Sequence, residues 1–228
     1  MKKSVAIIQA RLASRRLPAK TMLLLPTGRT VLQEVVHRCL QIQGLDQVVV
    51  AMPSSEGMGM LADSVRGACE VHFVGGFEGD LVQRYAKCSQ MTNASIIMRI
   101  TADCPLLNPA IATEMLARFK AALGKNGPDY MTNAWPQRGY PQGWDVELMR
   151  RDALDAIAAW PGLTADEREH LGPCFQNRQW VFNCWTHKPV VDQGSWKRWT
   201  LDTFQDYLNI CKVLEDDVSI ERDNQSAA

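Results

Sequence analysis

Short apolar segments alternate with amphipathic segments along the first half of the chain, and this alternation restricts the folds open to it. The apolar segments are rich in β-branched residues and end at polar or basic loops, which predicts buried strands over 4–9, 47–51, 71–74 and 95–100. The segments between them predict helices over 30–41, 59–67, 80–91 and 109–123, with Asp80 as an N-cap and Pro109 in a first turn. Strands alternating with helices favour an α/β fold with a mainly parallel sheet, helices on both faces and right-handed crossovers.

The second half of the chain is less regular. Strands are predicted over 129–133, 144–148 and 180–185, and helices over 151–159, 166–177 and 203–214. A length of 228 residues suits one α/β domain, because domains of this class often exceed about 200 residues. We therefore expect a single domain over 1–220, in halves of about 1–125 and 126–220, and a flexible polar tail over 221–228.

Charge and cysteine content argue against several classes of protein. Lys plus Arg and Asp plus Glu number 25 each, so the chain lacks the basic excess of a general nucleic-acid binder. Its seven cysteines are scattered and form no C-x-x-C motif, which argues against a disulfide framework or a thiolate zinc site. Reduced thiols favour the cytoplasm.

The N-terminal residues imitate a signal peptide, but Arg11 interrupts the apolar run too early. No apolar run approaches the roughly 20 residues that span a bilayer. The sequence thus predicts a cytoplasmic protein whose partners include neither nucleic acid nor a membrane.

A basic loop follows the first predicted strand, and it carries Arg11, Arg15, Arg16 and Lys20. Ligands of open α/β sheets bind at the carboxyl ends of the strands, where this loop begins. Arginine holds phosphate oxygens through a planar fork and lysine acts as a point charge, so a triphosphate is the natural partner. A solvated basic loop without a ligand is the alternative, and the loop alone does not separate the two.

Two carboxylates are candidates for a metal site. Asp103 directly follows the predicted strand 95–100, where a carboxylate can hold Mg²⁺ against phosphate oxygens. Asp202 lies just before the last predicted helix, and for an isolated Asp at that position an N-cap is the favoured alternative.

Further acidic and basic candidates lie in the second half. Asp145 and Glu147 alternate along a predicted strand and are expected on one face of it, with an exposed strand face as the alternative. His170 follows Arg168 and Glu169 on a predicted helix. A lone histidine is more often a surface or core residue than a catalyst, so His170 is only a candidate for binding an acidic substrate.

Six segments, by their order and spacing, resemble the cytidylyltransferases that activate sugar acids. The resemblance is to spore-coat polysaccharide cytidylyltransferase-like proteins, relatives of the CMP-Kdo and CMP-sialic acid synthetases, and it extends to about Leu214. The segments are 9–20 (QARLASRRLPAK), 80–85 (DLVQRY), 99–105 (RITADCP), 140–147 (YPQGWDVE), 168–170 (REH) and 198–203 (RWTLDT) with Asp206.

The resemblance implies a nucleotide-diphospho-sugar transferase fold, a Mg²⁺ cofactor, CTP and a small acidic acceptor as substrates, and a homodimer. It implies that Asp103 and Asp202 hold the metal and that Arg11, Lys20 and Asp103 are catalytic. The implied nucleotide-binding residues, in the first half, are Ala10, Arg11, Ser14, Arg16, Lys20, Arg84, Arg99 and Thr101. The implied acceptor-binding residues, in the second half, are Tyr140, Gln142, Glu147, Glu169 and His170.

Three loops depart from the pattern of this family, at 25–29, 52–53 and 73–76. None of these loops contains Asp103 or Asp202, so the departures leave the predicted metal site intact. They affect the prediction of which nucleotide and which acceptor bind. Cytosine needs a hydrogen-bond acceptor opposite its amino group, and backbone carbonyls in 8–10 or 52–55 are the candidates.

The reaction implied is attack of an acceptor oxygen on the α-phosphorus with loss of pyrophosphate, catalysed mainly by positioning and charge neutralisation. Three alternatives remain. One is a nucleotidyltransferase that acts on a phosphate ester or another non-sugar acid. The others are a non-catalytic nucleotide-binding module, which the two candidate metal carboxylates argue against, and a glycosyltransferase of the same fold.

Overall fold

The computed structural model describes residues 2–55, 57–124 and 126–226, and a seven-stranded sheet lies at its centre. The strands are β1 (Ser4–Gln9), β2 (Gln47–Pro53), β3 (Glu70–Val74), β4 (Ile96–Thr101), β5 (Tyr130–Thr132), β6 (Glu147–Arg150) and β7 (Cys184–Thr186). Their order is β3-β2-β1-β4-β6-β5-β7. Strand β6 is antiparallel to β4 and β5, while the other pairs are parallel. The predicted α/β fold with a mainly parallel sheet is confirmed.

The helices cover the sheet and connect its strands. They are α1 (Val31–Leu40), α2 (Met58–Ser64), α3 (Leu81–Met91), α4 (Pro109–Ala121), α5 (Arg151–Ala158), α6 (Ala165–Glu169), α7 (Leu171–Gln176) and α8 (Phe204–Ser226). A short 3₁₀ turn at Lys20–Met22 ends the basic loop. No helix among the described residues is both long and apolar enough to cross a membrane.

Side-chain caps fix the starts of the helices in the first half. Thr30 and Gln33 form a reciprocal capping box on α1. Asp80 accepts a hydrogen bond from the backbone nitrogen of Gln83 at 3.0 Å, which confirms it as the N-cap of α3. Asn108 caps α4, with Pro109 in its first turn as predicted.

In the second half, the helix predicted over 166–177 is instead two helices that meet at His170. Pro173 explains the break, because in a continuous helix its ring would clash with the carbonyl of Glu169. At the break, His170 has an extended backbone conformation, with φ −124° and ψ 97°. It therefore leaves Glu169 and His170 at a corner between two short helices.

Two predicted strands are also shifted. The strand predicted over 144–148 begins only at Glu147. The side chain of Asn133 donates a hydrogen bond to the carbonyl of Trp144 and accepts one from the backbone nitrogen of Val146, so these backbone groups are not free to pair with a strand. The strand predicted over 180–185 shortens to Cys184–Thr186, since the backbone of Val181 and Phe182 bonds to Arg178 in turns.

Helix α8 continues past Leu214, where the sequence predicted its end, and past Ile220, where it predicted a flexible tail. The tail expected over 221–228 thus starts within this helix, and its last two residues lie outside the described part of the chain. Its flexibility stays a prediction.

Three clusters of buried side chains form the core. One lies between the sheet and α1, α2 and α4, and a second lies between the sheet and α3, α5 and α7. The third joins the loops at the carboxyl ends of the strands to α8 and contains Leu25, Val31, Leu106, Leu201, Ile210 and Leu214. All seven cysteines are free, and none is exposed.

Candidate active site

The loops that carry the candidate residues meet at the carboxyl ends of the parallel strands. β1 lies between β2 and β4, so the loops after these three strands are neighbours. Ala10 donates a backbone hydrogen bond to the carbonyl of Ala51 at 3.1 Å, and Ala102 donates one to Gln9 at the same distance. The basic loop therefore lies beside the loop that carries Asp103.

Lys20 lies at the centre of this edge. Its Nζ atom donates to Oδ2 of Asp103 at 2.7 Å and to Oδ1 of Asp202 at 3.0 Å. It also donates to the backbone carbonyl of Leu201 at 2.6 Å, and its side chain is only 12% exposed. The structure thus brings together two catalytic candidates, Lys20 and Asp103, and both metal candidates, Asp103 and Asp202, around a single ammonium group.

Three cations surround the carboxylate of Asp202. Besides Lys20, Arg16 lies 2.8 Å from Oδ1, and Arg198 pairs with Oδ2. Burial opposes ionisation of Asp202, but the hydrogen bond and charge of Lys20 and the charges of Arg16 and Arg198 outweigh it and lower the pKa of this carboxyl. Asp202 is therefore an anion at neutral pH.

The N-cap interpretation of Asp202 is wrong. Thr203 caps α8 instead, with its Oγ1 accepting from the backbone nitrogen of Asp206 at 3.2 Å. Asp206 in turn accepts from the backbone nitrogens of Asp202 at 3.0 Å and Thr203 at 2.8 Å. These bonds hold the turn, so the Asp202 side chain is left to face Lys20.

The oxygens around Lys20 fit Mg²⁺ when a polyphosphate is also bound. Asp103, Asp202 and the carbonyl of Leu201 supply three oxygens that converge on one cation. Mg²⁺ prefers oxygen ligands and is usually held by one or two carboxylates together with phosphate oxygens and water. Among the described residues no three His, Cys, Asp or Glu side chains cluster as a metal site, so the protein alone offers only part of a coordination shell.

Arg11 and Arg84 are two further cations, and they lie near each other. Arg11 reaches Glu169 at 3.5 Å, and both side chains are about half exposed. Arg84 is buried and donates to the carbonyl of Glu78 at 2.6 Å, and among the described residues it makes no ion pair. Burial and the nearby Arg11 both lower the pKa of its guanidinium, although neighbouring anions oppose them. The Arg84 cation therefore has unused capacity for an anion.

A cavity of about 90 Å³ opens next to Arg84. Its other lining residues are Val74, Gly75, Gly76, Phe77, Asp80, Gln83 and Lys87. A β-carbon built on Gly75 would lie 4.0 Å from Oγ of Ser54, so the cavity adjoins the loop after β2. Of the lining residues only Arg84 was predicted as a site residue, and Asp80 was predicted as an N-cap. Only the departure at 73–76 and the Asp80 motif marked this part of the sequence.

The remaining nucleotide candidates in the first half have structural partners. The Oγ of Ser14 accepts a weak bond from the backbone nitrogen of Leu17 at 3.4 Å. The hydroxyl of Thr101 lies 3.1 Å from Sγ of Cys104, which borders Asp103. Arg15 makes no ion pair among the described residues. These contacts order the loops, and binding roles for Ser14 and Thr101 stay predictions.

A loop carrying acceptor candidates is joined to the segment that carries Asp202. The backbone nitrogen of Gln142 donates to Lys197 at 3.0 Å, and Trp199 donates to Gln142 at 2.6 Å. Gly143 lies beneath them with φ +105°, and a β-carbon there would approach the carbonyl carbon of Trp199 to 2.7 Å. Only glycine allows this close approach. Tyr140 is buried in the same loop and stacks on His187, with ring centroids 5.9 Å apart.

Arg99 and Glu147 form an ion pair, which the sequence did not predict. Both side chains are 13% exposed and lie on neighbouring strands β4 and β6. The expectation that Asp145 and Glu147 share one strand face is wrong, because Asp145 precedes β6 and pairs with Arg138. The alternative interpretation, an exposed strand face, is also wrong for Glu147. The binding roles of Glu147 and Arg99 stay predictions.

Glu169 and His170 lie at the corner between α6 and α7. Arg168, their neighbour, pairs with Asp80 at 2.9 Å, and Glu169 pairs with Arg11. Below them Glu167 is buried against Arg178, with 2.6 Å between Oε1 and the guanidinium, and this pair anchors α6. The acceptor candidates of the second half therefore contact the nucleotide candidates of the first half.

Over residues 5–219 the chain matches the family described as cytidylyltransferase. It is 28% identical over 213 residues to the spore coat polysaccharide biosynthesis protein SpsF of Bacillus subtilis, a match that covers 90% of this chain and 83% of that protein.

Two solved structures are similar over nearly the whole fold. A cytidylyltransferase from Leptospira borgpetersenii superposes with a TM-score of 0.82 at 26% identity, covering 96% of this chain and 97% of that one. A CMP:2-keto-3-deoxy-manno-octonic acid synthetase complexed with CTP superposes with a TM-score of 0.71 at 17% identity, covering 94% and 99%. The second likeness concerns the fold alone.

Proposed function

The chain belongs to the cytidylyltransferase family and is a nucleotidyltransferase, and from that premise we propose that it transfers CMP from CTP to a sugar acid, with release of pyrophosphate. The observation that carries the proposal is the contact of Lys20 with both Asp103 and Asp202. In the proposal, Lys20 is a phosphate-binding cation, and the two carboxylates beside it are oxygen ligands for a divalent cation.

In the proposed reaction, an acceptor oxygen attacks the α-phosphorus in line with the departing pyrophosphate. Arg11, Arg16 and Lys20 hold oxygens of the triphosphate, because charge-assisted hydrogen bonds are the strongest that side chains offer to phosphate. Asp103 and Asp202 would hold Mg²⁺, which would supply neutralisation of the charge on the reacting phosphoryl group. The remaining work of the protein is to position the two reactants.

The nucleoside occupies the cavity beside Arg84 in this proposal. The cavity lies at the same sheet edge as the basic loop, and Arg84 interacts electrostatically with Arg11. It also adjoins the loop at 52–55, whose carbonyls are candidates for the amino group of cytosine.

The acceptor binds on the other side of the basic loop, near Tyr140, Gln142 and the corner at Glu169 and His170. The bonds from Gln142 to Lys197 and Trp199 hold this side against the segment that carries Asp202. The names of the relatives, a spore coat polysaccharide protein and a synthetase for a keto-deoxy sugar acid, favour a sugar acid as the acceptor. Polysaccharide biosynthesis in the cytoplasm and a homodimer complete the proposal.

A screen for pyrophosphate release tests the function. The protein with Mg²⁺ is incubated with each of four nucleoside triphosphates and a panel of sugar acids, sugar phosphates and other phosphate esters. We expect release only with CTP and a sugar acid, and a product whose mass equals the acceptor plus CMP minus water. Release only with a phosphate ester would show that the acceptor is a phosphate ester and not a sugar acid. Tight CTP binding without release for any acceptor would favour a non-catalytic module.

A further inference from the structure

Phe77 is an exposed aromatic side chain at the rim of the cavity beside Arg84. It is 80% exposed, although a phenylalanine gains by burial, and no other part of the described chain covers it. The cavity also contains charged groups from Asp80, Arg84 and Lys87. An apolar ring over a charged cavity is suited to a ligand that has both a flat apolar part and an anionic part.

The backbone around Phe77 supports one face of its ring and leaves the other free. A β-carbon built on Gly79 would lie 2.7 Å from Cε1 of Phe77, so the ring folds over the bare α-carbon of Gly79. Gly76, just before the ring, has φ +128°, a conformation that side-chain-bearing residues rarely adopt. Two glycines therefore place the ring at the rim.

Two cations near Phe77, Arg84 and Lys87, indicate how a bound ligand would be oriented. Arg84 donates to the carbonyl of Glu78, next to Phe77, and has no carboxylate partner in the described structure. Lys87 donates to the carbonyl of Gly75 at 3.2 Å, on the same loop. A nucleotide whose phosphates extend toward Arg11 and Lys20 would bring its base to this rim.

We propose that Phe77 is a binding residue that stacks on the pyrimidine base of the nucleoside triphosphate. The proposal rests on the proposed function, since it concerns the same nucleotide site. Base stacking on an aromatic side chain tolerates different bases, because every base has a π-face. Phe77 therefore contributes affinity for the nucleoside and leaves the choice between cytosine and uracil to other groups.

Calorimetric titration of the full chain in Mg²⁺ tests the proposal with CTP, UTP and inorganic tripolyphosphate as probes. Phe77→Ala is expected to weaken CTP about 5- to 150-fold, the range that base stacking supplies, with a proportionate loss for UTP. Affinity for tripolyphosphate, which has no base, should stay within about twofold. Phe77→Trp should restore CTP affinity, while Phe77→Leu should not.

Trp180→Ala is the matched control. Trp180 is an aromatic residue that is 78% exposed and does not line the cavity, so its loss should leave CTP affinity unchanged. Unchanged CTP affinity in Phe77→Ala would overturn the proposal, as would equal losses for CTP and tripolyphosphate or full affinity in Phe77→Leu. If the unmodified protein bound no nucleoside triphosphate, the proposed function itself would fail, which is a separate result.

Discussion

The Nζ atom of Lys20 lies 2.7 Å from Oδ2 of Asp103, across 83 residues of sequence. The sequence predicts different roles for the two residues, since Lys20 is expected to bind the triphosphate and Asp103 to bind the metal. Their contact makes the two roles parts of one site, because the same ammonium also reaches Asp202. A change to any one of the three charges therefore alters the surroundings of the other two.

Asp103→Asn and Asp202→Asn should each lower turnover about 100-fold or more. In the proposal each carboxylate is an anionic ligand of Mg²⁺, and a bound metal ion stabilises the transition state by several kcal/mol. Steady-state rates of pyrophosphate release in Mg²⁺ measure this, with circular dichroism to show that the variants are folded. Asp192→Asn is the control, since Asp192 bonds only to its own exposed turn. Near-normal turnover in either variant would remove that residue from the metal site.

Arg11→Ala should weaken the binding of CTP more than that of CMP. Losing one charge-assisted hydrogen bond typically costs about 1.5–3 kcal/mol, or about 10- to 150-fold in affinity. Arg11 is the better choice than Lys20 because its pairing with Glu169 is long and half exposed, so the fold depends little on it. Calorimetric titration with both nucleotides measures the effect, and Arg66→Ala, in the exposed pair with Asp63, is the control. Equal losses for CTP and CMP would mean that Arg11 does not contact the phosphate tail.

His170→Ala should raise the KM for the acceptor or lower kcat, with CTP affinity within about twofold. The side chain of His170 is 59% exposed at the corner between α6 and α7, beside Glu169 and on the acceptor side of the basic loop. Initial rates at varied acceptor concentration measure it. His37→Ala on α1 is the control, since within the described structure the side chain of His37 bonds to Gln41 on the same exposed helix face. Impaired CTP binding with normal acceptor kinetics would place His170 on the nucleotide side.

Glu167 makes the stability of the protein sensitive to acid. The hydrogen bonds of Arg178 lower the pKa of this carboxyl to about 2, from 4.5 in the unfolded chain, although burial opposes them. Its folded pKa is depressed, so its contribution to stability is complete above pH 4.5 and is lost as the pH falls toward 2. Glu167→Gln should therefore be less stable at pH 7 and lose less stability than the parent protein between pH 4.5 and 2.

Urea unfolding at a series of pH values measures this difference. Asp63→Asn removes an ion pair that is exposed on both sides and should leave the pH dependence of stability almost unchanged. Equal acid sensitivity of Glu167→Gln and the parent protein would assign the effect to another carboxyl.

The sequence predicted most of the fold because the first half obeys simple local rules. The strand at Ser4–Gln9 and the N-cap Asp80 are found as predicted, since apolar runs and caps act over a few residues. In the second half, the structure differs from the prediction where a single residue, or a residue distant in sequence, determines the local backbone conformation. Pro173 splits one helix, and Asn133 holds residues 144–146 away from a strand partner.

The candidate site could be predicted by residue type but not by pairing. The partners of Asp202, namely Lys20, Arg16 and Arg198, are visible only in three dimensions, except for the spacing of four residues to Arg198. The Arg99–Glu147 pair depends on the register of β4 with β6, which no local pattern reveals. The cavity beside Arg84 was missed because it forms only where the loop at 74–77 meets side chains of α3 and its N-cap, a juxtaposition that no local pattern reveals.

The last prediction concerns the base, and CTP should be preferred over UTP, ATP and GTP. Of the candidate carbonyls in 8–10, that of Gln9 already accepts from the backbone nitrogen of Ala102. The loop at 52–55 adjoins the cavity through the side chain of Ser54, so the carbonyls of this loop are the candidates for the amino group of cytosine.

Uracil would place a carbonyl oxygen where cytosine has its amino group, so two acceptors would face each other without a proton between them. Sites that hydrogen-bond a substrate group discriminate strongly against an analogue that leaves buried groups unpaired, by as much as about 10⁴-fold. Since Phe77 would stack on either pyrimidine, the preference should survive in Phe77→Ala even as both affinities fall. The measurement is kcat/KM for the four triphosphates with one working acceptor. UTP equal to or better than CTP would refute cytosine recognition through these carbonyls while leaving nucleotidyl transfer itself intact.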